Sequence, residues 1–123
     1  MSASELRYLL AAVELYDGGG GVRLTEIAAK LLVTKASAYR AVERLESFGL
    51  VERGEKSRIR PTIQGKAVAK EYRDCISFIQ GALERHCCTP SRVAFEDALC
   101  TLCAISDGTR QALVRYLKEG RKA

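Results

Sequence analysis

Residues 24–60 constrain this chain more than any other stretch. "LTEIAAKLL" and "ASAYRAVERLESFG" each repeat apolar residues at helical spacing, and only the three residues "VTK" separate them. In the first segment Thr25 is placed to cap a helix whose Ile27, Ala28, Leu31 and Leu32 face inward. In the second, Ala38, Val42 and Leu45 line one face, flanked by Ala41 and Phe48, and Gly49 stands where a C-terminal cap belongs. "LVER-GEKS-RIR" then reads as two short strands around a glycine-containing turn. Helix, short turn, helix, hairpin is the order of a winged helix-turn-helix.

The flanking sequence is helical as well. Leu6, Leu9, Leu10 and Val13 mark an amphipathic helix over 4–17, ended by "DGGGG", a turn or loop. No Lys-Ser/Thr follows those glycines, so they do not form a P-loop. Pro61 stops the second strand, and Thr62 can cap a long helix over about 62–86 with Val68, Tyr72, Ile76, Ile79 and Leu83 on one side. Two further helices follow, over about 91–104 and 108–119, the last closed by Gly120. The expected class is mostly α, divided into a winged helix-turn-helix over 1–61 and a helical region over 62–123, together one compact unit.

Charge narrows the class of partner. The 123 residues carry a net charge of +5, and residues 1–70 hold 12 Lys/Arg against 8 Asp/Glu. The first half is therefore the expected seat of a polyanion, double-stranded DNA. Lys35, Ser37, Arg40 and Arg44 lie off the apolar stripe of the second helix, whose polar N-terminal residues would reach base edges. Lys56, Arg58 and Arg60 place cations on the hairpin, where they would meet phosphate or the minor groove. A winged helix can also serve as a protein-binding module, and Glu43, Glu46, Glu52 and Glu55 interrupt the basic surface.

No apolar run nears the roughly 20 residues that span a bilayer, and "MSASELRYLL" lacks the pattern of a signal peptide. A cytoplasmic protein with reduced thiols and no membrane partner is expected. The single histidine stands in no recognisable nucleophile motif, so an enzyme is not expected.

The segment 24–70 resembles winged-helix repressors: "LTEIAAKLLVTKASAYRAVERLESFGLVER" looks like their helix pair, and "RPTIQGKAVAK" like the stretch that leaves the wing. Together with "YLLAAVEL", "KEYRD" and "FEDALCTLCAISDGTRQALVRYL", the chain resembles the iron- and manganese-dependent repressors of the diphtheria-toxin-repressor type, in their short form without an extra barrel domain. The resemblance implies a homodimeric repressor joined through its first and C-terminal helices, with Thr34, Ala36, Ser37 and Arg40 reading bases. It also implies a regulatory metal. Where the family places ligands, this chain has Arg7 or Leu10, Asp74, Leu99, Leu102 and Cys103, of which Asp74 and Cys103 can bind a metal.

Five cysteines accompany one histidine. Cys100 and Cys103 in "CTLC" share a helix face, Asp74 and Cys75 fall on the long helix, and His86 and Cys87 stand with Cys88 at the following join. Two Cys plus Asp or His suit zinc or ferrous iron, and three or four Cys an iron–sulfur cluster. Thiol redox sensing and plain core packing are the alternatives. Cβ atoms at i and i+3 on a helix lie some 5–6 Å apart, wider than a disulfide's usual separation of about 3.8 Å.

Overall fold

Among the described residues, 1–120, the computed structural model has six helices and one short hairpin. The order is α1 (Ala3–Leu15), α2 (Leu24–Leu31), α3 (Lys35–Ser47), β1 (Val51–Arg53), β2 (Ile59–Pro61), α4 (Ile63–Cys87), α5 (Ser91–Ala104) and α6 (Asp107–Glu119). A 3-10 turn, Glu55–Ser57, joins the strands, which pair antiparallel with Glu52 opposite Arg60. The fold is mostly helical: a winged helix-turn-helix followed by a helical region. It divides into two compact units, Met1–Ala69 and a second that starts at Lys70.

In the first unit α1 packs against α2, α3 and β2. Leu6, Leu9, Ile27, Ala38, Val42, Leu45, Val51 and Ile59 are buried in it. A capping box starts α1: the Ser2 hydroxyl accepts from the Glu5 N–H at 3.1 Å, and the Glu5 carboxylate accepts from the Ser2 N–H at 2.8 Å. That second bond, helped by Arg44 at 3.6 Å, holds the Glu5 carboxyl below its ordinary pKa. Val22 adds a bridge to Ile59, with reciprocal backbone bonds of 2.7 and 2.8 Å, so the hairpin carries a fragment of a third strand.

Two local expectations change. Thr25 does not cap α2: the helix starts two residues earlier than that cap would set it, with Arg23 at the cap and its N–H 3.4 Å from the Glu26 carboxylate. Leu32 does not face inward and is 90% exposed. The chain leaves α2 there in the left-handed conformation (φ 56°), which swings the side chain away from the core. The turn of the helix pair is thus Leu32–Thr34, one residue ahead of the expected break. Phe48, expected to flank the core, is 52% exposed at the end of α3.

α3 ends with the same arrangement as α2, but with glycine in the left-handed position. Gly49 (φ 75°) donates to Glu46 O, and Leu50 donates to Leu45 O. From there a small knot ties four elements. The Thr62 N–H donates to Leu50 O at 3.0 Å and its hydroxyl to Gly49 O at 2.7 Å, while the Gly65 N–H donates to the Thr62 hydroxyl at 2.9 Å. A Cβ on Gly65 would collide with the Leu50 carbonyl.

In the second unit α5 buries Ala94, Ala98, Leu99 and Leu102, and α6 buries Val114. Tyr72, Cys75 and Ile76 are the buried positions of α4 here, while Ile79 and Leu83 of the expected stripe are only half-buried. Arg110 stacks over the Tyr72 ring at 4.8 Å and lies 3.7 Å from the Glu71 carboxylate. Phe78 meets Tyr116 edge to face at 5.8 Å.

Two outcomes test this description. A left-handed conformation costs an L-residue about 1–2 kcal/mol, and glycine's extra freedom in the unfolded chain takes back about 0.4–1 kcal/mol. Leu32→Gly should therefore stabilise the protein by about 0.5–1 kcal/mol, read from the urea midpoint at unchanged slope. A loss of stability would show that the Leu32 side chain packs on something. Glu5→Ala should cost about 1 kcal/mol at pH 7. Because the folded carboxyl has the lower pKa, its contribution exists above the unfolded value and fades as pH falls through the folded one. Wild type and variant should then converge in acid, and a constant gap down to low pH would contradict the capping account.

Candidate nucleic-acid interface

The recognition surface starts from the geometry of α3. Ala38, Ala41, Val42 and Leu45 bury one side of that helix. At 100° per residue the opposite line runs through Ala36, Arg40, Glu43 and Ser47, all exposed. Ala36 is small enough to let the helix backbone approach a groove, and Arg40 stands one turn on with its guanidinium in solvent.

The other expected contacts fall off this line, for separate reasons. Thr34 is the N-cap of α3: its oxygen accepts from the Ser37 N–H at 3.1 Å, and its hydroxyl lies 3.0 Å from the Ser37 oxygen. Both hydroxyls therefore hold the start of the helix. Arg44 lies on the α1 side, 3.6 Å from the Glu5 carboxylate. Arg58 is half-buried and reaches Gly21 O at 3.4 Å, and Arg60 faces Glu52 across the hairpin at 3.8 Å. These two arginines brace the wing.

On the other flank of α3 lies a cleft of about 320 Å³, formed by the start of α2, the first turns of α3 and the wing. Its wall carries four cations, Arg23, Lys35, Arg53 and Lys56, with Thr25, Tyr39 and Ser57 beside them. Arg53 stacks over the Tyr39 ring at 4.7 Å, and its Nε lies 3.3 Å from the Glu46 carboxylate. These contacts hold β1 against α3. Of the cleft cations the sequence pointed only to Lys35 and Lys56. Arg23 and Arg53 were missed because neither lies on the recognition helix or beyond the hairpin turn. The density of Lys and Arg over residues 1–70 was the available signal.

The six candidate metal ligands do not gather. Cys75 is 1% exposed, and burial pushes its thiol pKa up, so it stays protonated at neutral pH. Asp74 accepts from Lys70 Nζ at 3.0 Å beside a cavity of about 200 Å³ that Cys75 also lines. Cys103 is half-buried and Cys100 exposed on α5, while His86, Cys87 and Cys88 are exposed at the end of α4. No two of the five cysteines form a disulfide. Among the described residues no group of three or more His, Cys, Asp or Glu side chains could hold a metal ion. This donor set does not fit a resident metal or a cluster.

Known proteins match this architecture. The IclR helix-turn-helix domain matches residues 9–55, less than half of the chain. Over 95% of its length the chain superposes on a hypothetical protein, SSo2273 from Sulfolobus solfataricus, with 25% identity, a TM-score of 0.72 and 89% of that chain covered. It is similar in fold to IdeR of T. acidophilum, with 22% identity, a TM-score of 0.69 and 96% of this chain on 55% of that one. It also resembles the manganese regulator SloR, with 21% identity, a TM-score of 0.75 and 93% of this chain on 53% of that one. The chain thus spans about half the length of the last two. No curated protein sequence matches it. The matches support a DNA-binding winged-helix regulator. Among the described residues no helix is long and apolar enough to cross a membrane.

The thiols offer a direct check on the placement of the cysteines. Brief alkylation of the folded protein at pH 7, read by peptide mass, should modify Cys87, Cys88 and Cys100 well before Cys75. Cys75 should react at a comparable rate only after unfolding. Equal rates in the folded protein would mean that α4 is not packed as described.

Proposed function

We propose that this protein is a sequence-specific transcription regulator of double-stranded DNA, a cytoplasmic homodimeric repressor with no enzymatic activity. The carrying observation is the four-cation cleft beside the exposed line of α3. A helix seated in the major groove brings its flanks to the sugar-phosphate walls, and a concave patch of Arg23, Lys35, Arg53 and Lys56 meets one of them. Arg40, on the exposed line, would then face base edges, with guanine the best partner for its two-pronged guanidinium.

Support for a homodimer comes from the second unit, where Val93, Phe95 and Tyr116 are large apolar side chains at 49%, 37% and 54% exposure. Pairing two copies through such helices would set two recognition helices on half-sites about one turn of duplex apart. The sequence resemblance to repressors of the diphtheria-toxin-repressor type supports the same arrangement. No metal step enters this function, because among the described residues no group of three or more His, Cys, Asp or Glu side chains could hold a metal ion.

Binding to a fluorescent duplex across a salt series tests the proposal. Affinity should fall steeply as salt rises, because phosphate contacts release counterions. Arg23→Ala, Lys35→Ala, Arg53→Ala and Lys56→Ala should each lower the slope of log affinity against log salt by about one. Arg40→Ala should instead cost roughly 1–3 kcal/mol on the preferred sequence and far less on random duplex. No duplex binding at low salt would leave a protein-interaction module as the reading.

A further inference from the structure

On the proposed DNA-binding reading, we infer that Glu43 is a specificity-determining residue that accepts from the exposed amino group of one base, cytosine first, and penalises every other base at that position. Most acidic side chains of the first unit are used by the fold. Glu5 is held by Ser2 and Arg44, Glu14 by Lys30, and Asp17 by the Gly19 N–H. Glu26 faces the Arg23 N–H, Glu46 pairs with Arg53, and Glu52 pairs with Arg60. Glu43 is different. Its carboxylate has no ion pair or hydrogen bond among the described residues, and it lies on the exposed line of α3 with Ala36 and Arg40. The Glu55 carboxylate shares the lack of a partner among the described residues, but it sits in the turn of the wing.

A carboxylate here is costly for simple adhesion to DNA, because it faces a polyanion from the middle of a basic surface. Docking α3 in the major groove would also strip its water, and a desolvated carboxylate needs a donor. In that groove the donors are the N4 amino group of cytosine and the N6 amino group of adenine. Thymine and guanine offer only acceptors at the matching edge. Adenine sets its amino group beside the N7 acceptor, which repels a second carboxylate oxygen, so cytosine is favoured. Glu43 follows Arg40 by three residues, a rise of about 4.5 Å, against a base step of about 3.4 Å. The two side chains therefore reach the same or adjacent base pairs, one as donor and one as acceptor. Discrimination arises mainly from rejecting wrong partners, since an unpaired buried charge costs more than a satisfied one contributes.

The test uses the whole chain and duplexes selected by wild-type protein from a randomised 20-base-pair pool. Wild type, Glu43→Ala and Glu43→Gln are compared on the selected duplex and on random duplex. Alanine keeps the helix, and a thermal melt checks that all three proteins fold. Glu43→Ala should bind random duplex more tightly, and its ratio of selected to random affinity should fall about fivefold or more. Glu43→Gln, which can donate as well as accept, should move the selected sequence at one position from cytosine towards adenine. If all three proteins select the same sequence with the same ratio, Glu43 stays in solvent and the inference is wrong, although DNA binding itself stands. If wild type shows no salt-dependent duplex binding in the first measurement, the DNA reading falls and takes this inference with it.

Discussion

The contact between Gly65 and the Leu50 carbonyl decides how the rest of the first unit fits together. The first turn of α4 can sit against the backbone that leaves α3 only because position 65 has no side chain. The hydroxyl of Thr62 then serves two roles, donating to Gly49 O and accepting from the Gly65 N–H. End of recognition helix, start of β1, end of β2 and start of α4 are thereby joined within a few ångströms. Neither three-residue strand could stand alone as a hairpin. With both ends of the wing held here, its cations keep a fixed place beside α3.

Charge in this unit is divided between holding the fold and facing outward. Arg44, Arg58 and Arg60 brace α1, the glycine loop and the hairpin. Arg53 does both, since it clamps Tyr39 and Glu46 while it lines the cleft. A basic residue on a DNA-reading domain is therefore no guide to contact until its partners are known. The side chains that stay available are those the fold does not already hold, and that selects Arg40 and the cleft lysines over Arg58 and Arg60, with Arg53 shared between both roles.

Much of the fold was legible in the sequence because it rests on local rules. Helical periodicity marked the α3 core positions Ala38, Val42 and Leu45, Gly49 marked the end of α3, and Thr62 marked the start of α4. Legibility failed where a position is set by something remote or by a rare backbone state. Leu32 reads as a core leucine until the left-handed turn is seen. Arg23 and Arg53 join the cleft only through packing between elements distant in sequence. The cysteines show the limit most clearly. The spacing of Cys100 and Cys103 sets two thiols on one helix, but spacing cannot supply further donors, and among the described residues no group of three or more His, Cys, Asp or Glu side chains could hold a metal ion. Cys75 looked like a ligand by position and proves to be a buried, protonated side chain.

The glycine loop between α1 and α2 has a use that its blandness conceals. Gly18, Gly19 and Gly20 are exposed, and the Asp17 side chain accepts from the Gly19 N–H. Immediately beyond, the Val22–Ile59 bridge closes the chain back onto the wing. Extra residues before that bridge lengthen a loop whose closure cost rises by only about 0.6 kcal/mol per doubling. The loop is thus a natural attachment point for a spectroscopic probe. A dye there would sit just before Gly21, whose position lies against the Arg58 and Arg60 side chains of the wing.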